Sequence, residues 1–182
     1  MGTRHNICVY SSGELKLSQY GQWDGYPSGQ GITILSFRRD KLDAEKFLNN
    51  LNKAYELKTD GECEKLFNKL ATKPFVSRDT SAKILPMIQD FKGKKFPLVL
   101  GDSFLADSLF CEWAYVIDFD ANEFQVYKGF NKNPLQLSDR YFYLEDKAED
   151  GYHPVKLSKT YKLDALPSND DFLKAFAKKE KE

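Results

Sequence analysis

Hydrophobic and polar residues alternate over the first twenty positions of the chain. Apolar side chains recur at every second position in residues 3–10 and again in 14–20, with Ser12 and Gly13 between the two segments. A period of two on both sides of a small polar turn is typical of an antiparallel hairpin. The sequence therefore predicts a hairpin whose second strand leads directly into the glycine-rich segment 19–31.

The next apolar run, residues 32–37, contains β-branched residues and places apolar side chains on both sides of an extended chain. Strands in the middle of a sheet have this composition, because both of their faces are covered. We predict a third, central strand over this run.

Helical spacing begins after residue 40. Apolar residues recur at steps of three and four from Ala44 to Tyr55, and either Asp40 or Asp43 is in position to cap the helix. This pattern predicts a helix over 40–55.

Two further segments in the middle of the chain have helical spacing. An apolar stripe that includes Cys63 predicts a helix over 62–71, and Pro74 follows as a stop signal. Residues 79–91 repeat the pattern, and Pro86 predicts an irregular start because proline interrupts a helix that begins much before it.

The second half of the chain returns to alternation. Aromatic and β-branched residues predict a hairpin over 112–130, with its turn at 120–122. Residues 131–153 are rich in Asn, Asp, Gly and charge, which indicates a long excursion with one short element. A strand over 155–163 and a helix capped by Ser168 are predicted to follow.

Strands therefore bracket a helical middle segment instead of alternating with helices one for one. This order predicts an α+β fold with a mainly antiparallel sheet, a helical middle segment and a C-terminal helix. Neither an internal repeat nor a linker-like stretch divides the chain, so residues 1–182 are predicted to form a single domain.

Charge and hydropathy restrict the classes of partner. The 27 Lys and Arg residues balance the 27 Asp and Glu residues, so no net field favours nucleic acid. No window approaches the ~18 apolar residues of a membrane span, and polar residues fill the start where a signal peptide would be apolar. We expect a cytoplasmic protein with neither a nucleic-acid nor a membrane partner.

The densest chemistry lies in segment 19–31. Four glycines permit positive φ there, so we expect exposed N–H groups that form a nest for phosphate or carboxylate. The polar and aromatic side chains suit a polar small molecule: Tyr20, Gln22, Trp23, Asp24, Tyr26 and Gln30. The alternative is an Ω-loop whose aromatics pack on the sheet and whose Asp24 binds turn N–H groups. Neither known glycine-rich nucleotide motif is present, so no cofactor is predicted.

Two basic residues begin the first strand. In the predicted hairpin, Arg4 and His5 lie close to residues 19–24, where Arg4 completes an anionic-ligand site. His5 titrates near neutrality, and we take His5 and Asp24 as candidate catalytic groups, with a structural role as the alternative for His5. His153 stands apart in the long excursion, so no metal site is predicted.

The start Gly2-Thr-Arg-His5 and the run Tyr20-Gly-Gln-Trp-Asp-Gly-Tyr-Pro-Ser-Gly-Gln-Gly31 resemble an uncharacterised protein family of phages, bacteria and fungi. The resemblance covers residues 1–40 and, more weakly, 112–129. It implies no particular activity.

The order of elements is also similar to that of N-terminal-nucleophile hydrolases, which implies a layered arrangement and a nucleophile at the first residue. Thr3 or Cys8 would supply it only after cleavage, for which the sequence gives no signal. Cys111 beside Glu112 is a further candidate nucleophile, and a buried, reduced thiol is the alternative for each cysteine.

These observations favour a small-molecule-binding or hydrolase-like domain, with an amide or nucleotide-like substrate if it is an enzyme. The expected ligand is polar or anionic, and its site is formed by the N-terminal strand and segment 19–31. The alternative is a non-enzymatic interaction module, such as a phage-borne modulator of host proteins, in which Tyr20, Trp23 and Tyr26 are exposed anchors.

Overall fold

A computed structural model describes residues 2–57, 75–148 and 150–177. Its strands are β1 (His5–Ser11), β2 (Glu14–Gly21), β3 (Ala54–Glu56), β4 (Phe96–Leu98), β5 (Trp113–Asp118), β6 (Glu123–Lys128) and β7 (Lys156–Lys162). Its α-helices are α1 (Ile32–Asp40), α2 (Ala44–Leu51), α3 (Ile84–Gln89) and α4 (Asn169–Lys174). Shorter helical turns are a π-helix at Pro27–Gly31 and 3₁₀ helices at Ser81–Lys83, Ser103–Leu105 and Phe142–Lys147.

Five of the described strands form one sheet in the order β2-β1-β5-β6-β7. The sequence-adjacent pairs β1–β2, β5–β6 and β6–β7 are antiparallel, whereas β1 and β5 pair in parallel with His5 opposite Trp113. β3 and β4 form a separate parallel pair. The α+β class and the mainly antiparallel sheet predicted from the sequence are therefore confirmed.

The two predicted hairpins are confirmed, and their turns are joined to each other. Ser12 and Gly13 turn the first hairpin with φ of 57° and 74°, the left-handed conformation that tight hairpin turns require. The backbone N–H groups of both residues donate to the Asp120 carboxylate in the second turn, at 2.8 and 2.9 Å. One exposed carboxylate thus fixes both turns at the same end of the sheet.

The five-stranded sheet is covered on both faces. Ile7 and Val9 of β1 pack on one face against residues of α1, α2, α3 and α4, which we call the helical face. Cys8, between them in sequence, packs on the opposite face against side chains from 105–111 and 135–155, which we call the loop face. Because side chains on a strand alternate, consecutive β1 residues enter different cores.

The predicted strand over 32–37 is wrong, since these residues form the first part of α1. Ile34, Leu35 and Phe37 are buried, so the run is apolar because the helix packs against the sheet. A short apolar run covered on several sides has the same composition in a buried helix and in a central strand, and periodicity does not separate the two. The π-helix that precedes it runs directly into α1 and fixes the helical choice.

The helix predicted over 40–55 is shorter in the structure than the apolar spacing indicated. Asp43 caps α2 by accepting a hydrogen bond from the Lys46 backbone N–H at 3.0 Å, and α2 ends at Leu51. Ala54 and Tyr55 belong to β3, because pairing with β4 overrides the helical spacing.

Three predictions from the remaining segments are confirmed, and one lies outside the description. Residues 79–91 hold a 3₁₀ turn followed by α3, which is the irregular start expected from Pro86. The excursion 131–153 carries one 3₁₀ helix, and Ser168 caps α4 by accepting from the Asp171 N–H. The predicted helix over 62–71, with Cys63, falls outside the described residues. Among the described helices, none has the length and apolar character needed to cross a membrane.

Replacing the shared turn carboxylate should destabilise the fold. We expect Asp120→Ala to lower the free energy of unfolding by about 1–2 kcal/mol, because two turn N–H groups lose a charged acceptor. Asp164→Ala is the control, since Asp164 is exposed and makes no hydrogen bond among the described residues; it should cost less than about 0.5 kcal/mol. Urea denaturation that gives equal losses for both variants would contradict the role of Asp120.

Candidate functional site

The end of β2 borders a cavity of about 310 Å³. We call it the β2-edge cavity, because β2 is the edge strand of the sheet. Asn6, Ser18 and Tyr20 contribute from the sheet, and residues 75–78 and 99–104 close it from outside. A volume of this size suits a small organic molecule.

Hydrogen bonds fix the polar floor of this cavity. The Ser18 hydroxyl lies 2.6 Å from the Gly101 carbonyl, which only accepts, so Ser18 must donate to it. The Asn6 amide nitrogen therefore donates to the Ser18 oxygen, at 2.9 Å. The same nitrogen lies 3.4 Å from the Cys8 sulfur. The floor is thus a chain of hydrogen bonds that runs from the Asn6 amide nitrogen through the Ser18 hydroxyl to the Gly101 carbonyl.

The cavity wall is largely aromatic and aliphatic. The Tyr20 ring meets Phe104 edge to face with centroids 4.9 Å apart, and Phe75, Val76 and Val99 also line the cavity. The Tyr20 hydroxyl donates to the Gln22 side-chain oxygen at 2.5 Å. This bond holds the ring in one orientation at the end of β2.

Two arginines flank Tyr20. Arg78 lines the cavity and is exposed, while the Arg4 guanidinium lies 4.3 Å from the centre of the Phe110 ring. Burial raises the pKa of the Tyr20 phenol, and the positive charges of Arg4 and Arg78 both oppose that rise. Neither arginine forms an ion pair with an acidic residue in the described part of the chain, and the buried Nε of Arg4 has no hydrogen-bond partner. Two positive charges therefore lie near the Tyr20 phenol, and one of them, Arg78, lines the cavity.

The backbone of segment 19–31 is bonded internally, and it does not form the expected anion nest. Gly25 N–H donates to the Thr3 carbonyl, Gln30 N–H to the Asp24 carbonyl, and the N–H groups of Gly29 and Gly31 to the Tyr26 carbonyl. The Tyr115 hydroxyl donates to the Gly25 carbonyl at 2.7 Å, and the Gln30 side chain accepts from the Ala82 N–H at 3.1 Å. The glycines serve close packing on the sheet.

His5 lies under this segment and is fully buried. A Cβ on Gly21 would overlap the His5 ring, and one on Gly25 would lie 2.9 Å from the His5 Cβ, so glycine is required at both positions. Neither ring nitrogen has a well-aligned hydrogen-bond partner. Burial lowers the pKa of His5 to about 4, and the nearby Thr3 backbone only partly opposes this shift. The imidazole is a neutral, weakly basic core group.

The other loop residues point in several directions. Asp24 is exposed with φ of 54°, and its carboxylate makes no hydrogen bond within the described residues. The Trp23 indole donates to Asp79 at 2.9 Å and is 47% exposed. Tyr26, 52% exposed, borders a separate apolar cleft of about 690 Å³ beside α4, formed with Trp113 and Phe130 among others.

The structure thus brings only part of the predicted set together. Tyr20 and Gln22 lie at the β2-edge cavity with Arg4 near them. The Arg4 guanidinium lies over the Phe110 ring, whereas His5 lies under Gly21 and Gly25. The Gln30 side chain accepts from the Ala82 N–H. Trp23, Asp24 and Tyr26 lie on the surface outside this cavity. The assignment of these residues to a ligand or a reaction stays a prediction.

Sequence reasoning missed three cavity groups: Asn6, Ser18 and Arg78. The available signal was two polar residues, Asn6 and Ser18, on the strand face that also carries Cys8. No local pattern marks Arg78, which reaches the cavity only because its backbone carbonyl accepts from the Gln22 N–H beside β2.

The candidate cysteine nucleophiles are fully buried free thiols. Burial raises the pKa of Cys8 to about 12 and that of Cys111 well above its usual value. Both are therefore protonated at neutral pH and unreactive. Within the described residues, no group of three His, Cys, Asp or Glu side chains is placed to hold a metal ion.

Comparisons of this chain with protein-family models, curated proteins and solved structures find no match. The resemblances noted from the sequence stay predictions, and function has to be argued from the geometry of the site.

The free energy of unfolding should fall as the pH drops below about 6.5, because His5 then binds a proton in the unfolded chain but not in the folded one. His5 has a pKa of about 4 in the fold against 6.5 when unperturbed, so the unfolded chain takes up more protons between these values. From about pH 7.5 to about pH 5.5, the free energy of unfolding should drop by roughly 1 kcal/mol in urea titrations. His153→Gln is the control and should keep the full drop; loss of the drop in that variant would assign it to His153.

Proposed function

We propose that this protein binds a small anionic molecule, without covalent chemistry, in the β2-edge cavity. The observation that carries the proposal is the pair of arginines, Arg4 and Arg78, that lie near Tyr20 and form no ion pair with an acidic residue in the described part of the chain. An uncompensated pair of cations beside a cavity is favourable for a carboxylate or phosphate, because charge-assisted hydrogen bonds to such groups are strong.

The make-up of the cavity supports an organic anion. Its wall is apolar and aromatic, its floor is polar, and its cations lie at or near the mouth. Ligand sites commonly combine apolar walls with a few polar groups that orient the ligand. An anion with an apolar body fits this distribution better than an inorganic ion, which would leave the apolar wall unused.

The site residues support binding over hydrolysis. The Ser18 hydroxyl is committed to the Gly101 carbonyl, and Cys8 is held protonated behind Asn6. His5 lies on the opposite face of β1 from Asn6 and is a weak base. A nucleophile and base within hydrogen-bond reach of each other are the requirement for covalent catalysis. These cavity residues do not meet that requirement.

Removing one arginine charge should weaken anion binding. We expect Arg78→Gln to reduce the affinity for organic carboxylates or phosphates about tenfold, because one charge-assisted contact is lost. The control is Lys94→Gln, which removes one exposed positive charge that forms no ion pair or side-chain hydrogen bond with a described residue, and it should leave affinity unchanged.

A thermal-shift screen with carboxylates, phosphates and nucleotides provides the measurement. A ligand at 100 times its Kd adds about 2.7 kcal/mol, which should raise Tm by roughly 5–10 °C for a chain of this size. Isothermal titration of each hit then compares the two variants. The absence of any anion that shifts Tm, or equal weakening by Arg78→Gln and Lys94→Gln, would refute the proposal.

A second candidate function is binding of a protein partner through exposed aromatic residues. Tyr26 and Phe130 are 52% and 50% exposed, and both border the apolar cleft beside α4. Exposed aromatic anchors next to an apolar depression are typical of peptide-binding surfaces.

Peptides selected from a displayed random library against this protein would test the second candidate. Tyr26→Ala and Phe130→Ala should each weaken a cleft-binding peptide at least about tenfold, the size of a moderate interface contact. Tyr55→Ala removes an aromatic residue of similar exposure from β3 and should have no effect. Equal binding to all three variants would exclude the cleft as the interface.

A further inference from the structure

One acceptor beside the β2-edge cavity has no donor among the described residues. Asn6 is 1% exposed, and its amide nitrogen is assigned to Ser18 because the Gly101 carbonyl forces Ser18 to donate. The amide carbonyl oxygen of Asn6 is therefore turned away from Ser18. It accepts no hydrogen bond from the residues that the structure describes, and Asn6 lines the cavity.

The neighbouring protein donors are already committed. Gln19 donates its amide nitrogen to the carbonyls of Tyr20 and Ser77, and the Tyr20 hydroxyl donates to Gln22. An acceptor in a buried polar site favours a partner that supplies the missing donor, because leaving it unpaired after the ligand displaces water costs affinity.

The two ends of the cavity thus differ in chemistry. Asn6 is buried at the floor and needs a donor, whereas Arg78 is exposed at the rim and attracts an anion. Tyr20 and Phe104 present aromatic rings to the same cavity. Flat apolar groups pack favourably against such rings.

We infer that the ligand of the β2-edge cavity is a flat organic anion with an O–H or N–H donor at the end opposite its charge. Its donor binds the Asn6 carbonyl oxygen, its body packs beside Tyr20 and Phe104, and its anionic group meets Arg78. This inference rests on the proposed function and adds the specificity element: Asn6 selects hydroxylated or aminated compounds over their deoxy or deamino analogues.

Matched pairs of compounds test the inference on the wild-type protein. The probes are 4-hydroxybenzoate, 4-hydroxyphenylacetate and 3-(4-hydroxyphenyl)propionate, each compared with the same acid lacking the hydroxyl. For the acid whose chain length fits the cavity, isothermal titration should show the hydroxylated form binding about tenfold more tightly than the form without the hydroxyl. Asn6→Ala should bring that ratio close to one. Asn52→Ala should preserve it, because Asn52 is exposed and its side chain forms no hydrogen bond with a described residue.

The outcomes separate this inference from the proposed function. The donor requirement is overturned if the two members of every pair bind equally. It is also overturned if other anions bind and no hydroxylated probe does. Either result leaves the proposed function standing. A ratio that survives in Asn6→Ala overturns the role of Asn6. Failure of every anion, including the screened carboxylates and phosphates, removes the proposed function itself. The compound pairs measured on the wild-type protein decide the donor requirement even if Asn6→Ala does not fold.

Discussion

β1 is hydrogen-bonded to a strand on each side and covered on both faces, and the position of every candidate group follows from this arrangement. Adjacent side chains on a strand point to opposite faces, so the chain divides its N-terminal residues between two separate cores. His5, Ile7 and Val9 enter the helical face, while Asn6 and Cys8 enter the loop face. Arg4 lies over Phe110 and near Tyr20, which pairs with Asn6, whereas His5 lies under Gly21 and Gly25.

The β2-edge cavity combines features that seldom persist in a protein interior unless something offsets them. Burying a polar group without a partner costs free energy, and two uncompensated cations near one phenol repel each other. The buried Nε of Arg4 has no hydrogen-bond partner, and the exposed Arg78 guanidinium lies near the same phenol. The Asn6 carbonyl oxygen has no donor among the described residues. The ligand that we propose, with an anion at one end and a donor at the other, would pair with both kinds of group at once.

The glycine-rich segment has a structural role that its composition did not reveal. Several of its N–H groups donate to carbonyls within the segment, to Thr3 or to Arg78, and Gly21 and Gly25 leave room for the His5 ring. The segment also holds Tyr20 at the cavity on one side and exposes Tyr26 at the apolar cleft on the other. It is a packed support between the β2-edge cavity and the apolar cleft.

The sequence by itself determined the α+β class, both hairpins, the cap of the last helix and the irregular start of α3, because these depend on local periodicity and on capping or turn residues. Tertiary structure decided that residues 32–37 are helical, since a buried apolar run fits a helix and a central strand equally well. It also decided the site. Tyr20, Gln22 and Arg4 were identifiable as polar or aromatic residues near the first hairpin. Asn6, Ser18 and Arg78 join them only through pairing across strands and the approach of segment 75–78, which are long-range contacts that no local pattern encodes.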